Sequence, residues 1–242
     1  MSLRKAYVER TQVDTYDTRH FGGASGRFIF EKDLAALNTL LDDTNGMVLD
    51  LPCGTGIYSA ALRASGRQVT AADASLTMLI EARARDDLIP YLQCDANHLP
   101  FKDGAFDAAI MVRLTQHLPR NEICGILREL GRVLQPGGRI VFDTFRWSPK
   151  QVPLLARWMG AEFHVLNHKS VDAMIEEVGL RKVSERSAYL FSPIWQRKFP
   201  LLTVRLFDRL ERLVPARWLL RTFWACTRME APRHEQYRQE RS

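Results

Sequence analysis

The chain has 242 residues, 46% apolar and 26% charged, a balance that suits one soluble α/β domain with additions better than two full domains. No run of 18 apolar residues is present, which excludes a membrane-spanning helix. Cys53, Cys94, Cys124 and Cys226 form no C-x-x-C pair, which argues against a metal site or disulfide framework and for a reducing cytoplasm. The net charge is +6, yet residues 1–194 carry 23 basic and 23 acidic side chains while residues 195–242 carry 11 against 5. A uniformly basic nucleic-acid binder would not concentrate its excess in the last fifth of the chain; a local basic surface would.

Three segments follow in order. Residues 1–43 open with a polar, charged stretch that predicts no signal peptide. They continue through a glycine-rich patch at 21–27, expected to be flexible, into helical spacing over 28–41. Residues 44–194 form the core. Met47-Val48-Leu49-Asp50-Leu51 reads as a buried strand, 57–64 as a helix, 68–72 as a strand, 75–84 as a helix and 91–94 as a third strand. A fourth strand covers 106–112. A helix then ends near Leu134 at the stop Gln135-Pro136-Gly137-Gly138, and a fifth strand covers 139–143. A helix over 169–178, closed by Gly179, and a strand within 181–191 complete the core. Alternation of this kind predicts a doubly wound, mostly parallel sheet covered on both faces.

The chemistry is densest in Val48-Leu49-Asp50-Leu51-Pro52-Cys53-Gly54-Thr55-Gly56. An apolar strand enters a tight glycine turn and a helix follows, so backbone can approach a ligand and the helix start offers free N–H groups. Asp50, four residues before Gly54, suits a ligand ammonium and would repel a pyrophosphate. The third glycine of the dinucleotide fingerprint is absent. Both features disfavour NAD and favour a smaller adenosyl ligand. Asp73 ends the second strand, where a carboxylate can accept from both ribose hydroxyls, or can serve as a helix-start residue in Asp73-Ala74-Ser75. Asp95 ends the third strand and can accept from an adenine amino group, with the Ala96 N–H donating to a ring nitrogen.

These residues, together with Leu99-Pro100-Phe101 to Phe106-Asp107, Gln116-His117-Leu118 and Leu134 to Gly138, resemble the ordered motifs of class I S-adenosylmethionine-dependent methyltransferases, in particular the ubiquinone/menaquinone-biosynthesis-like branch with its type 11 domain. The likeness covers about 28–145. It implies a Rossmann-like, seven-stranded sheet with the last strand antiparallel and S-adenosyl-L-methionine at its carboxyl edge. On that footing Asp50, Pro52, Gly54, Gly56, Asp73, Ala74, Met78, Asp95 and Ala96 are expected to line the cofactor. In the N-terminal lid, Tyr16 can cover the methionine moiety, and Arg19 or Arg27 can pair with its carboxylate; a solvated leader helix is the other reading. Arg113, ending the fourth strand, can bind an acidic group or support the loop at Thr115. His117 follows it and can act as a base, or can pack on the cofactor or cap the helix near Pro119. His20, His98, His164, His168 and His234 show no ligand spacing.

Residues 195–242 do not resemble the quinone enzymes. They predict a basic amphipathic extension of two helices. The first carries Leu202, Val204, Leu206, Phe207, Leu210, Leu213 and Val214 with Arg205, Arg209 and Arg212. The second, after Pro215, carries Trp218, Leu219, Leu220, Phe223 and Trp224 with Arg217, Arg221 and Arg228. With Trp195, such helices can contact an anionic membrane peripherally, roof a small-molecule or lipid-like acceptor, or simply pack on the core. The expected activity is methyl transfer. A methyltransferase-fold regulator or assembly partner that binds the cofactor without turnover is the alternative, and nucleic acid is disfavoured by the absence of an Asn/Asp-Pro-Pro-aromatic motif after the fourth strand.

Overall fold

The computed structural model describes residues 16–44, 46–146, 164–190 and 199–228, without the side chains of Arg19 and His20. Two helices lead, α1 (Tyr16–Phe21) and α2 (Gly23–Leu40). The core runs β1 (Met47–Asp50), α3 (Ile57–Ala64), β2 (Gln68–Asp73), α4 (Leu76–Arg85), β3 (Tyr91–Gln93), β4 (Phe106–Met111), a 3₁₀ turn (Thr115–His117), α5 (Arg120–Val133) and β5 (Leu134–Phe145). It continues with α6 (His168–Glu177), β6 (Leu180–Ala188), α7 (Leu201–Glu211), a 3₁₀ turn (Ala216–Trp218) and β7 (Arg221–Arg228). The seven strands form one sheet in the order β3-β2-β1-β4-β5-β7-β6. Strands β1 to β5 pair in parallel, and β7 runs antiparallel to both β5 and β6. This is the expected Rossmann-like architecture.

Successive side chains of a strand point to opposite faces, so the continuous apolar runs of β1, β4 and β5 build two cores at once. Leu49, Ala109, Met111, Ile140 and Phe142 meet α5 and α6 through Ile123, Leu127, Leu130, Val171 and Met174. Val48, Ala108, Ile110 and Val141 meet α2 and α3 through Leu37, Leu40, Tyr58 and Leu62. Ala71, Ala72, Ala108 and Ala109, all fully buried, keep the central strands slim enough for helices on both sides. Between Phe106–Leu134 and Ala108–Arg139 the ladder loses register, so Gln135-Pro136-Gly137-Gly138 loops out and β5 resumes at Arg139.

Two expectations are corrected. The glycine patch is not a flexible hinge, because α2 already begins at Gly23. A Cβ on Gly26 would lie 2.5 Å from the carbonyl carbon of Phe21, so this glycine lets α1 and α2 cross at backbone contact. The second C-terminal helix does not form. Residues 221–228 are β7, with Phe223 and Ala225 on one core and Trp224 and Cys226 on the other. The segment 195–242 is therefore not helical throughout, since it supplies an interior strand of the core sheet. Trp224 is buried, with its indole Nε1 donating to Thr144 Oγ1 at 2.8 Å, while Trp218 is 65% exposed; Trp195 lies outside the described residues.

Arg221 explains how a basic residue enters the sheet. It is buried, its Nη1 bonding Asp33 Oδ2 of α2 and its Nε bonding Asp143 Oδ2 of β5, both at 2.7 Å. Asp33 also accepts from the hydroxyls of Tyr58 (2.8 Å) and Tyr189 (2.5 Å). Removing the cation would leave two buried carboxylates uncompensated, which costs about 3–5 kcal/mol. Arg221→Met should therefore lose stability of that order in urea unfolding at pH 7, whereas Arg212→Gln on exposed helix surface should stay within about 0.5 kcal/mol. Equal effects would remove Arg221 from its central place.

Candidate functional site at the carboxyl edge of the sheet

Parallel register brings the ends of β1, β2, β3, β4 and β5 to one edge, which in an open α/β sheet is where ligands bind. Asp50 pairs across to Ala71 and Ile110, Asp73 to Gln93, and Met111 to Phe142. Beyond β1 the chain passes through Pro52, half-buried after a cis peptide bond, into the glycine turn. Backbone bonds seat that turn on its neighbours: Leu51 N–H donates to Ile110 O at 3.0 Å and Cys53 N–H to Ala72 O at 2.9 Å.

The two glycines do different work. Gly54 has φ +53° and no atom of the described residues within 4 Å of where a Cβ would stand, so among them the turn presents bare backbone to open space. Gly56 has φ +73° and caps α3, but a Cβ there would lie 2.9 Å from Ala82 Cβ. Its service is to let α3 and α4 pack together rather than to clear room for a ligand.

Asp50 and Asp73 stand on either side of the turn. Asp50 is buried and accepts from Ser59 Oγ at 2.5 Å. Burial, helped by the nearby charge of Asp73, pushes its carboxyl up to about 7. Asp73 accepts Gly54 N–H at 2.9 Å on one oxygen and Ser75 N–H at 2.8 Å on the other. Burial raises its pKa as well, against those two N–H groups. An acidic, water-poor edge of this kind favours a cationic ligand group, since an ammonium beside Asp50 would restore its charged form.

The remaining expected residues are distributed along the same edge. Ala74 is exposed, its carbonyl accepting from Gln93 Nε2 at 3.0 Å. Met78 is buried in the first turn of α4, and its N–H donates to the capping Ser75 Oγ at 3.4 Å. Asp95 shapes the turn after β3 by accepting Asn97 N–H at 3.0 Å, with Ala96 half-buried beside it. Arg113 has φ +64°, a backbone conformation costly for a residue with a Cβ. Its N–H donates to Asp143 Oδ1 at 2.6 Å, and its guanidinium lies 5.1 Å over the Phe21 ring. Its buried Nε has no hydrogen-bond partner among the described residues. His117 is half-buried on the 3₁₀ turn, which Thr115 ties to Asp143 O at 2.5 Å. Tyr16 is half-buried in α1, whereas Arg27 is exposed on α2 and makes no ion pair among the described residues, so the structure does not bring Arg27 into the loop's contacts.

Three participants escaped the sequence reading. Asp17 of α1 accepts from Thr55 Oγ1 at 2.6 Å and pairs with Arg85, whose Nε donates to Thr55 O at 2.9 Å. These links bridge distant positions and leave no local pattern. Asp143 did leave a trace, as the single charge closing the apolar run Ile140-Val141-Phe142.

The class is thus a Rossmann-like α/β protein with an acidic turn at the carboxyl edge of its sheet. Residues 49–142 match the family described as "Methyltransferase domain". The chain is similar to a demethylmenaquinone methyltransferase of Clavibacter sepedonicus, 46% identical over 115 residues, or 46% of this chain and 44% of that one. It is also similar to a malonyl-[acyl-carrier protein] O-methyltransferase of Erwinia pyrifoliae, 43% identical over 100 residues, covering 40% of this chain and 36% of the other. The chain thus spans less than half the length of these two curated relatives. The magnesium protoporphyrin IX methyltransferase of Synechocystis PCC 6803, solved with bound S-adenosylhomocysteine, shares the fold at TM-score 0.66 and 15% identity, over 93% of this chain and 98% of that one. The family match lies in the stretch that carries the glycine turn and, like the two curated matches, covers less than half of this chain; over that stretch the likeness is to methyltransferases. The relatives' names differ in acceptor, so the likeness singles out no acceptor.

The raised carboxyl of Asp50 gives the binding of a cationic ligand beside it a defined pH dependence. Without ligand the folded chain keeps a proton on Asp50 up to about pH 7 that an unfolded chain releases near 4. Stability from this group therefore falls as pH rises between those values. A ligand ammonium reverses the preference, so affinity should rise as pH approaches 7 and level off above it. Calorimetry at pH 6.5 in buffers of different ionisation enthalpy should detect proton release on binding, and Asp50→Asn should abolish it. A pH-independent affinity in the unaltered chain would refute this role.

Proposed function

We propose that the chain transfers a methyl group from S-adenosylmethionine to a small-molecule or lipid-like acceptor. The observation that carries the reading is the pairing of bare backbone at Gly54 with the buried carboxylates Asp50 and Asp73 across one turn. Asp50 would take the cofactor's ammonium, Asp73 its ribose hydroxyls, and Asp95 with the Ala96 N–H its adenine. Pro52, Gly56, Ala74 and Met78 would complete the wall. Tyr16 and Arg113 would close over the methionine end, where the unpartnered Arg113 Nε suits a carboxylate. Arg27 would serve only after a rearrangement of its exposed side chain. The cofactor, when bound, supplies a methyl group already activated by its sulfonium. The chain's own work is then to hold an acceptor in line, exclude water and, where the acceptor bears a proton, accept it on His117.

Calorimetry should show micromolar S-adenosylmethionine binding, on the order of −8 kcal/mol, weakened by about 1–3 kcal/mol in Asp73→Ala. With an acceptor in hand, His117→Ala should lower turnover roughly 10²-fold while leaving cofactor affinity nearly unchanged. The reverse pattern would make His117 a packing residue. Cofactor binding without turnover on any acceptor would favour the regulator or assembly-partner alternative.

The lipid-like part of the reading is supported by α7. Its acidic residues turn inward, where Lys32 Nζ meets Asp208 Oδ1 at 2.8 Å and Glu211 Oε1 at 2.6 Å. Its outward face carries Leu202 and Leu206, with Leu213 just beyond the helix at 81% exposure, beside Arg205, Arg209 and Arg212. An apolar stripe flanked by cations is complementary to an anionic membrane surface. Arg221 and Trp224, being buried, take no part. In sedimentation, vesicles with anionic lipid should retain the protein and neutral vesicles should not. Retention should fall with salt and with Arg205, Arg209 and Arg212 changed to glutamine; retention indifferent to both would rule the contact out.

A further inference from the structure

A concave surface opens between the starts of α5 and α6. It is a cleft of about 880 Å³ bordered by Arg120, Arg146, His168, Lys169, Glu185 and Arg217. These residues come from different elements. Arg146 follows β5, and its N–H is held by Leu220 O at 2.8 Å. His168 and Lys169 open α6, Arg217 sits on the turn before β7, and Arg120 opens α5 three residues after His117.

Among the described residues the cleft is lined by four permanent cations and one carboxylate. Arg120 shares Glu177, at 2.7 Å. Glu185 is drawn toward Lys182 Nζ at 3.4 Å and His168 Nε2 at 3.3 Å. Arg146, Lys169 and Arg217 form no ion pair among the described residues. Lys169 and Arg217 are exposed, and two solvated cations alone would mean little. Arg146 is different. It is half-buried, and its Nε is fully covered yet bonds to nothing among the described residues. Its Nη2 lies 2.5 Å from His168 Nδ1. Burial pulls the Arg146 pKa down, with only partial relief from Glu185. A buried, unmatched guanidinium donor among other cations is costly on its own. It becomes favourable when a planar or tetrahedral oxyanion accepts from it.

The cleft also adjoins the cofactor edge. Phe145 O accepts from Leu166 N–H at 2.9 Å, and Gln116 O from His164 N–H at 2.8 Å. The strand that ends in Arg146 therefore shares its surroundings with the turn that carries His117.

We propose that this cleft binds an oxyanion group, phosphate or carboxylate, with Arg146 as the principal contact and Lys169 and Arg217 as its electrostatic support. Resting on the methyltransferase reading, the group belongs to the methyl acceptor, whose remainder reaches toward His117.

The test is a titration of the full chain, without cofactor and at matched ionic strength, with pyrophosphate in one arm and citrate in the other, followed by the arginine Nε–Hε signals in ¹H–¹⁵N NMR spectra. The expected result is a saturable shift of the Arg146 signal in at least one arm, with the tighter arm naming phosphate or carboxylate. Lys169→Gln with Arg217→Gln, both at exposed positions, should weaken that binding at least tenfold while S-adenosylmethionine affinity stays unchanged. Arg146→Gln should abolish it. An Arg146 signal that does not saturate in either arm, or binding undiminished in these variants, would overturn the proposal. Because the titration omits the cofactor, a failure of S-adenosylmethionine binding would defeat the methyltransferase reading without touching the assignment of the cleft.

Discussion

The buried guanidinium of Arg221 is the interaction on which the rest of the structure depends. It joins the last strand to the first long helix through Asp33 and to the central sheet through Asp143. A charge at 1% exposure is tolerable because two carboxylates pair with it, one of them held in turn by two tyrosine hydroxyls. The consequence reaches the site. Asp143 spends its other oxygen on the N–H of Arg113 and its carbonyl on Thr115. The same carboxylate that receives β7 therefore holds Arg113 in its left-handed conformation and steadies the turn that bears His117.

The carboxyl edge of the sheet is divided electrostatically. Toward β1 and β2 it is acidic and dry, with Asp50 and Asp73 both made harder to ionise by burial. Toward β5 and α6 it is basic, with Arg146, Lys169 and Arg217 facing one cleft. A cationic sulfonium cofactor would match the first half, and the oxyanion proposed for the acceptor would match the second. Opposite preferences on neighbouring strand ends would let one edge orient two ligands of opposite charge. Asp17 adds a clasp, since its bonds to Thr55 and Arg85 bring α1 onto the glycine turn.

Much of this was legible in the chain. The elements from Met47 to Met111 follow from short apolar runs cut by glycine, because a strand buried on both faces needs unbroken apolar residues and a turn at its end needs positive φ. The seventh strand was not legible. In Arg221-Thr222-Phe223-Trp224-Ala225-Cys226-Thr227-Arg228, basic ends and paired aromatics fit an amphipathic helix about as well as a strand. Only the pairing of Arg221 with residues 188 and 78 positions away settles the choice. The glycine patch misled for a related reason, since whether a glycine bends a chain or admits a neighbouring backbone depends on what stands beside it.

The amino-acid sequence by itself determined the parallel core, the glycine turn and the carboxylates that close β1 and β2, because local periodicity and turn chemistry act within a few residues. Tertiary structure alone decided that β7 enters the sheet, that Gly56 serves packing while Gly54 faces open space, that Asp17 clasps the loop, and that cations from four separate segments gather in one cleft. Those outcomes rest on desolvation and charge pairing between residues far apart in the chain, and the energy of such a pair exists only once the fold has brought its members together.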